Sequence, residues 1–136
     1  MREWFNRLAW KASVRATVPR VRIPPSPPMK KIYNKLIRDK IPEIIEKDGV
    51  SYKTRVLKQG EYKRELLKKI VEESQEVLET NGNKKELVKE IGDVQEIITY
   101  LIKVFNLDKK EIEKIRKKRK KSRGGFDKKI FLEYTE

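Results

Sequence analysis

Five acidic residues occur in two groups at helical spacing, and they are the strongest candidates for chemistry in this sequence. One group lies in VEESQEVLET and the other in VKEIGDV; the members are Glu72, Glu73, Glu76, Glu90 and Asp93. Residues three or four apart share a helix face, so each group can act as a unit. Carboxylates that converge repel one another and lose hydration, and a divalent cation removes that cost.

The composition limits which cation these acids can hold. The 136 residues include no His and no Cys, which excludes disulfides, thiolate chemistry, imidazole bases and the common zinc sites. Oxygen ligands favour magnesium, manganese or calcium. The alternative is a solvated helix surface paired with lysines. That alternative suits Glu96, but it suits Glu90 and Asp93 poorly because apolar residues flank both on one side.

The periodicity predicts two long helices that carry the acids. Apolar residues follow helical spacing from about residue 61 to the turn NGN, and again from about residue 87 to residue 105. Two helices joined by so short a turn form an antiparallel hairpin.

The hairpin would bring the two acidic groups together. Glu73 and Glu76 precede NGN by about as many residues as Glu90 and Asp93 follow it, so the four carboxylates can converge. Gly92 lies between the latter two, and glycine within a helix costs about 1 kcal/mol relative to alanine. We therefore expect that something approaches the backbone closely at Gly92.

Shorter elements are predicted on both sides of the hairpin. Pro42 suits the first turn of a short helix, and Asp108 can cap a further helix that ends at Gly124. The β-branched and aromatic runs SYKTRVL, at 51–57, and KIFLEY, at 129–134, predict two strands that pair as a small ribbon.

The fold class that these elements indicate is mainly α. One hairpin cannot bury its own apolar face, so we expect oligomerisation, as a homodimer or tetramer, to complete a four-helix bundle. No apolar run in the sequence is long enough to span a bilayer, and we expect a cytoplasmic protein.

Residues 1–28 differ from the rest of the chain. They contain both Trp residues and five of the six Pro, and the VPRVRIPPSPP segment suits neither a helix nor a central strand. The peptide VRIP can be encoded by a sequence typical of the T-loop arm of transfer RNA genes. We hypothesise that residues 1–28 are a non-native extension and that the domain spans 29–136. The alternative is a disordered N-terminal arm.

The two acidic motifs resemble a known family. E-E-x-x-E followed by E-x-x-D is similar to the signature of the MazG-type, all-α nucleotide pyrophosphohydrolases. The blocks YNKLIRDKIPEII and RGGFDKKIFLE resemble one branch of that superfamily, labelled phosphoribosyl-ATP pyrophosphohydrolase-like. The resemblance covers about residues 29–133.

This resemblance implies hydrolysis of a nucleoside triphosphate between the α and β phosphates, giving a nucleoside monophosphate and pyrophosphate. The alternative is a phosphoribosyl-ATP pyrophosphohydrolase of histidine biosynthesis. The resemblance also implies Mg²⁺, with Mn²⁺ as a substitute, bound by Glu73, Glu76, Glu90 and Asp93. Glu72 would be a further ligand or the base that orients water, so Glu72 and Glu73 are the candidate catalytic residues.

A triphosphate brings about four negative charges to an acidic site, so basic residues must accompany the acids. The candidates for substrate binding, taken from the segments before Pro42 and before Gly124, are Asn34, Lys35, Arg38, Lys40, Lys120 and Arg123.

A function of another class, a basic module that binds nucleic acid or a partner protein, would explain the net charge of +14. A group of acidic residues that converges on one site would serve no purpose in a module that binds nucleic acid. The Tyr and Phe residues also fall mostly at positions expected in a core, whereas a nucleic-acid binder needs them exposed for stacking. We therefore expect an enzyme with a nucleotide substrate.

Overall fold

The computed structural model describes residues 30–136. The hypothesis about residues 1–28 lies outside this range, and the boundary at residue 29 stays a prediction. The described residues up to Val56 form one compact unit, and the residues from Leu57 onward form a second.

The first unit contains one short helix, α1, over Ile41–Lys47. Pro42 lies in its first turn, where its missing N–H needs no partner within the helix. Gly49 follows the helix with φ of +73°, a backbone conformation that favours glycine. The short helix predicted from Pro42 is therefore confirmed.

The second unit is built on two helices of 21 residues each, α2 over Gln59–Glu79 and α3 over Lys84–Val104, which pack against each other. Asn81 and Gly82 between them adopt positive φ angles, of 50° and 80°, which reverse the chain within a few residues. The side chain of Asn83 then caps α3 by accepting a hydrogen bond from the Glu86 N–H, at 3.2 Å. The predicted hairpin is confirmed.

The interior of the hairpin contains polar as well as apolar side chains. Leu66, Lys69 and Glu73 are buried on α2, and Glu90 is buried on α3. The three residues of α2 are three and four positions apart, so they lie on one face of the helix. An acidic site is therefore built into the packed face of the hairpin.

The last helix, α4, covers Lys109–Arg123. Asp108 caps its start by accepting a hydrogen bond from the Lys110 N–H at 2.8 Å, and Gly124, with φ of +83°, follows its end. Both predicted ends are confirmed. No helix within residues 30–136 is long and apolar enough to cross a membrane.

The predicted two-stranded ribbon is wrong. Residues 51–57 and 129–134 contain no strand, and the described part of the chain is α-helical without any β-sheet. Val56 and Phe131 are 97% and 86% exposed, so neither side chain packs on a sheet face. A preference for strands expresses how well a side chain fits a pleated, half-buried surface, and these segments have no such surface to join.

Candidate active site

Three carboxylates meet between α2 and α3. An oxygen of Glu73, one of Glu90 and one of Asp93 all lie within 4.8 Å of one another. Glu73 and Glu90 are buried, Glu90 completely, and Asp93 is half-buried. The convergence predicted from the hairpin is confirmed for these three residues, and the alternative of a fully solvated acidic surface does not describe them.

Burial is the largest influence on the pKa of the Glu73 carboxyl. Loss of hydration raises the pKa of its carboxyl above the ordinary value, because the charged form is the one that water stabilises. The Lys69 ammonium acts in the opposite direction, while the negative charges of Glu76 and Asp93 raise the pKa further. The fold therefore keeps a carboxylate where its negative charge is disfavoured, as expected of a site that receives a cation.

Glu76 and Glu72 lie beside the group of three rather than within it. Glu76 is half-buried and close enough to influence the charge of Glu73. Glu72 Oε2 accepts a hydrogen bond from Lys69 Nζ at 3.2 Å. The roles of Glu76 as a metal ligand and of Glu72 as a ligand or base stay predictions.

The group of three fits a divalent metal ion in both its chemistry and its dimensions. Magnesium binds oxygen at about 2.0–2.1 Å in octahedral geometry, which places ligand oxygens about 3–4 Å apart. Oxygens already within 4.8 Å need only small side-chain rotations to reach that spacing. Glu73, Glu90 and Asp93 are therefore the residues that can hold the ion.

The basic candidates are spread over both units. Asn34, Lys35, Arg38 and Lys40 belong to the first unit; Lys35 is half-buried and the other three are exposed. Lys120 and Arg123 are exposed in the last turn of α4, in the same unit as the acids. Binding of substrate by these six residues stays a prediction.

Sequence reasoning missed Lys69. Its Nζ lies 3.2 Å from Glu72 Oε2 and 3.3 Å from Glu73 Oε1, and its side chain is only 8% exposed. The signal was present, because Lys69 precedes these acids by three and four residues, the spacings at which helical side chains meet. Lysine is nevertheless among the residues least often buried, so the spacing alone does not predict burial of Lys69.

A Cβ atom added at Gly92 would meet nothing within 4 Å, so no described part of the chain approaches the backbone there, and close approach by another group stays a prediction. The expectation that the Tyr and Phe residues lie mostly in a core was wrong. Most of the described Tyr and Phe side chains are exposed, namely Tyr33, Tyr52, Tyr100, Phe126, Phe131 and Tyr134. Their periodic or flanking positions indicate burial, but no element within residues 30–136 covers them. The aromatic residues therefore do not argue against nucleic-acid binding.

The comparison with protein families decides between the function classes. The family model of phosphoribosyl-ATP pyrophosphohydrolase matches residues 29–120, which is more than half of the chain. The protein belongs to this family. Searches of curated proteins and of solved structures give no match.

Membership of the phosphoribosyl-ATP pyrophosphohydrolase family confirms the resemblance to the MazG-like superfamily and makes the protein an enzyme that acts on a nucleotide. The matched region contains all five acids and ends at Lys120, so Arg123 lies outside it. The resemblance of the motifs implies a general nucleoside triphosphate as the substrate. The family match instead favours the alternative, phosphoribosyl-ATP.

Proposed function

We propose that this protein hydrolyses phosphoribosyl-ATP between the α and β phosphates and releases pyrophosphate, with Mg²⁺ bound by Glu73, Glu76, Glu90 and Asp93. The observation that carries the proposal is the group of buried carboxylates inside the family match. A buried acidic group costs stability unless a cation compensates it, so its presence between two packed helices indicates a cation-binding function.

The chain supplies the positioning and the proton acceptor for this reaction. A bound magnesium ion lowers the pKa of a water ligand and neutralises charge on the phosphate oxygens. Glu73, Glu90 and Asp93 fix where that ion binds. Glu72 lies one residue from Glu73 at the edge of the group and accepts the proton from the attacking water, which adds to phosphorus as the anhydride bond breaks.

The basic residues complete the proposal by binding the phosphates. Lys120 lies next to the glycine pair that follows α4: its Cε is 3.8 Å from the position of a Cβ added at Gly125, and Asp127 Oδ2 is 3.4 Å from the same position. Small residues let a phosphate approach the backbone, and lysine contributes a positive charge beside it. We assign Lys120 and Arg123, which belong to the same unit as the acids, to the phosphates. A role in substrate binding for Asn34, Lys35, Arg38 and Lys40 stays a prediction.

Phosphoribosyl-ATP incubated with the protein and Mg²⁺ should give phosphoribosyl-AMP and pyrophosphate in equal amounts. The measurement is ion-exchange chromatography of the products, with ATP and the other nucleoside triphosphates tested in parallel at the same concentration. Release of inorganic phosphate and a diphosphate would contradict cleavage between the α and β phosphates. Faster turnover of a simple nucleoside triphosphate would instead favour a general nucleoside triphosphate as the substrate.

The oligomer is a separate part of the proposal and rests on exposed apolar residues. On α2 the positions 67, 71 and 78 share one side at helical spacing, and on α3 the positions 88, 91 and 98 do the same. All six are exposed, namely Leu67, Val71, Leu78, Val88, Ile91 and Ile98. Leu66 is the only buried apolar residue of the described part of this unit, too small a core for a stable domain.

We propose that a second copy of the chain covers this apolar face. An identical hairpin related by a twofold axis supplies a matching apolar face and completes four helices around one core. Two helices that share an exposed apolar stripe form half of a four-helix bundle, so an identical hairpin supplies the missing half.

Replacing Ile98 with lysine should shift the protein from dimer or tetramer to monomer, because a charge would be buried at the centre of the interface. The mass in solution is measured by sedimentation or light scattering. Glu96→Lys is the matched control. Glu96 precedes Ile98 by two residues, so its side chain is rotated by about 200° around the helix from that of Ile98. This substitution should leave the mass unchanged. A monomeric wild-type protein, or an unchanged oligomer in Ile98→Lys, would contradict the proposal.

A further inference from the structure

The ammonium of Lys69 occupies a position inside the acidic site. Its Nζ is shared between Glu72 Oε2 at 3.2 Å and Glu73 Oε1 at 3.3 Å. The other lysines with nearby partners on these helices are far more exposed: the Lys68 side chain, paired with Glu65, is 74% exposed. Lys69 is thus held in the packed part of the hairpin, whereas Lys68 lies in solvent.

A buried ammonium ion is costly unless carboxylates compensate it, and here two carboxylates do so. One of them, Glu73, is also one of the three residues whose oxygens converge. The Glu73 carboxylate therefore forms an ion pair with Lys69 in this structure, and in the proposed function it would bind a metal ion. Two positive charges that close to one carboxylate repel each other, so the two interactions oppose one another.

We propose that Lys69 is the internal counter-ion of the acidic site, which neutralises Glu73 before the metal binds and releases it when the metal arrives. This inference rests on the proposed function, because it requires the metal to bind at Glu73. Lys69 is a positioning residue that acts through Glu73. Glu72 retains the ammonium after the release, because it lies outside the group of three and keeps its own hydrogen bond to Nζ.

Two consequences distinguish a counter-ion from a packing residue. Without Lys69, the metal-free site contains several carboxylates and one fewer compensating charge, so the metal-free protein is less stable. Without Lys69, the metal also meets no competing cation, so it binds more tightly. A residue that only packs against its neighbours would change stability equally with and without the metal.

The test compares Lys69→Met, which has a similar length and no charge, with Lys68→Met as the matched control. Melting temperature is measured in EDTA and in saturating Mg²⁺, and Mg²⁺ affinity is measured by calorimetry without nucleotide. We expect Lys69→Met to melt at a lower temperature than wild type in EDTA and to recover most of the difference in Mg²⁺. The Kd of Lys69→Met for Mg²⁺ should be about tenfold lower than that of wild type, which corresponds to a binding free energy more favourable by about 1.4 kcal/mol.

Two control variants test whether the effect depends on the position and on the charge of Lys69. Lys68→Met should keep the wild-type Kd for Mg²⁺, since its ammonium pairs with Glu65 in solvent, and Lys69→Arg, which keeps the charge, should bind Mg²⁺ nearly as wild type does. A Lys69→Met protein that is unfolded in EDTA but folds on addition of Mg²⁺ would support the inference. The same or weaker Mg²⁺ affinity, an equal loss of stability in both conditions, or failure to fold in either, would overturn it.

Measurements on the wild-type protein separate this inference from the proposed function. If wild type neither binds Mg²⁺ nor hydrolyses phosphoribosyl-ATP, the proposed function has failed. If wild type does both and Lys69→Met does not bind Mg²⁺ more tightly, the proposed function stands and only the role of Lys69 is wrong.

Discussion

Asp93→Asn should reduce turnover of phosphoribosyl-ATP by more than about 100-fold while the protein keeps its fold. A neutral amide is a weaker ligand for Mg²⁺ than a carboxylate. Residues that only support metal ligands already change affinity or activity about 10- to 100-fold, and Asp93 is proposed to touch the metal itself. The substitution is nearly isosteric, so packing around α3 is retained.

The same substitution should not destabilise the metal-free protein. The negative charge of Asp93 raises the pKa of the Glu73 carboxyl, which shows that the two carboxylates repel each other. Removing that charge relieves the repulsion, so Asp93→Asn should melt at the same or a higher temperature in EDTA. The increase in melting temperature on addition of Mg²⁺ should be smaller than in wild type, because the metal binds less tightly.

Glu96→Gln provides the control for this experiment. Glu96 is exposed on the same helix, and the same acid-to-amide change there should leave turnover and the effect of Mg²⁺ on melting unchanged. An Asp93→Asn protein with wild-type turnover and a wild-type response to Mg²⁺ would mean that the acidic group has no catalytic role.

Removal of divalent metal with EDTA should reduce turnover to the background rate. The chain has no His and no Cys to provide another base or nucleophile of the usual kinds, and the carboxylates alone cannot neutralise the charge of a polyphosphate. Mg²⁺ should restore full activity, and Mn²⁺ should substitute because it also accepts oxygen ligands.

Circular dichroism distinguishes loss of the metal from loss of the fold. The helical signal of the EDTA-treated protein should remain, because α2 and α3 pack against each other and Lys69 partly compensates the acids. Full turnover after chelation and dialysis would show that the reaction does not need a divalent ion and would remove the basis for the proposed ligands.

The local sequence predicts the turns and caps of the helices to within a few residues, and it predicts which residues share a helix face. Asn83 and Asp108 cap helices through their own side chains, and Gly124 ends one with a positive φ angle. Such interactions involve residues only a few positions apart, so the local sequence is sufficient to predict them. The spacing of Glu90 and Asp93 on α3 follows from the helical period in the same way.

Which of those residues are buried, and what they contact, depends on the packing of one helix against another. Glu90 is completely buried and Lys69 is 8% exposed because a second helix covers them, which spacing along one helix cannot reveal. The run that contains Phe131 has a sequence suited to a strand, yet it forms none within residues 30–136, since a strand requires a partner elsewhere in the fold. Caps depend on neighbours in the chain, whereas burial and strand pairing depend on neighbours in space.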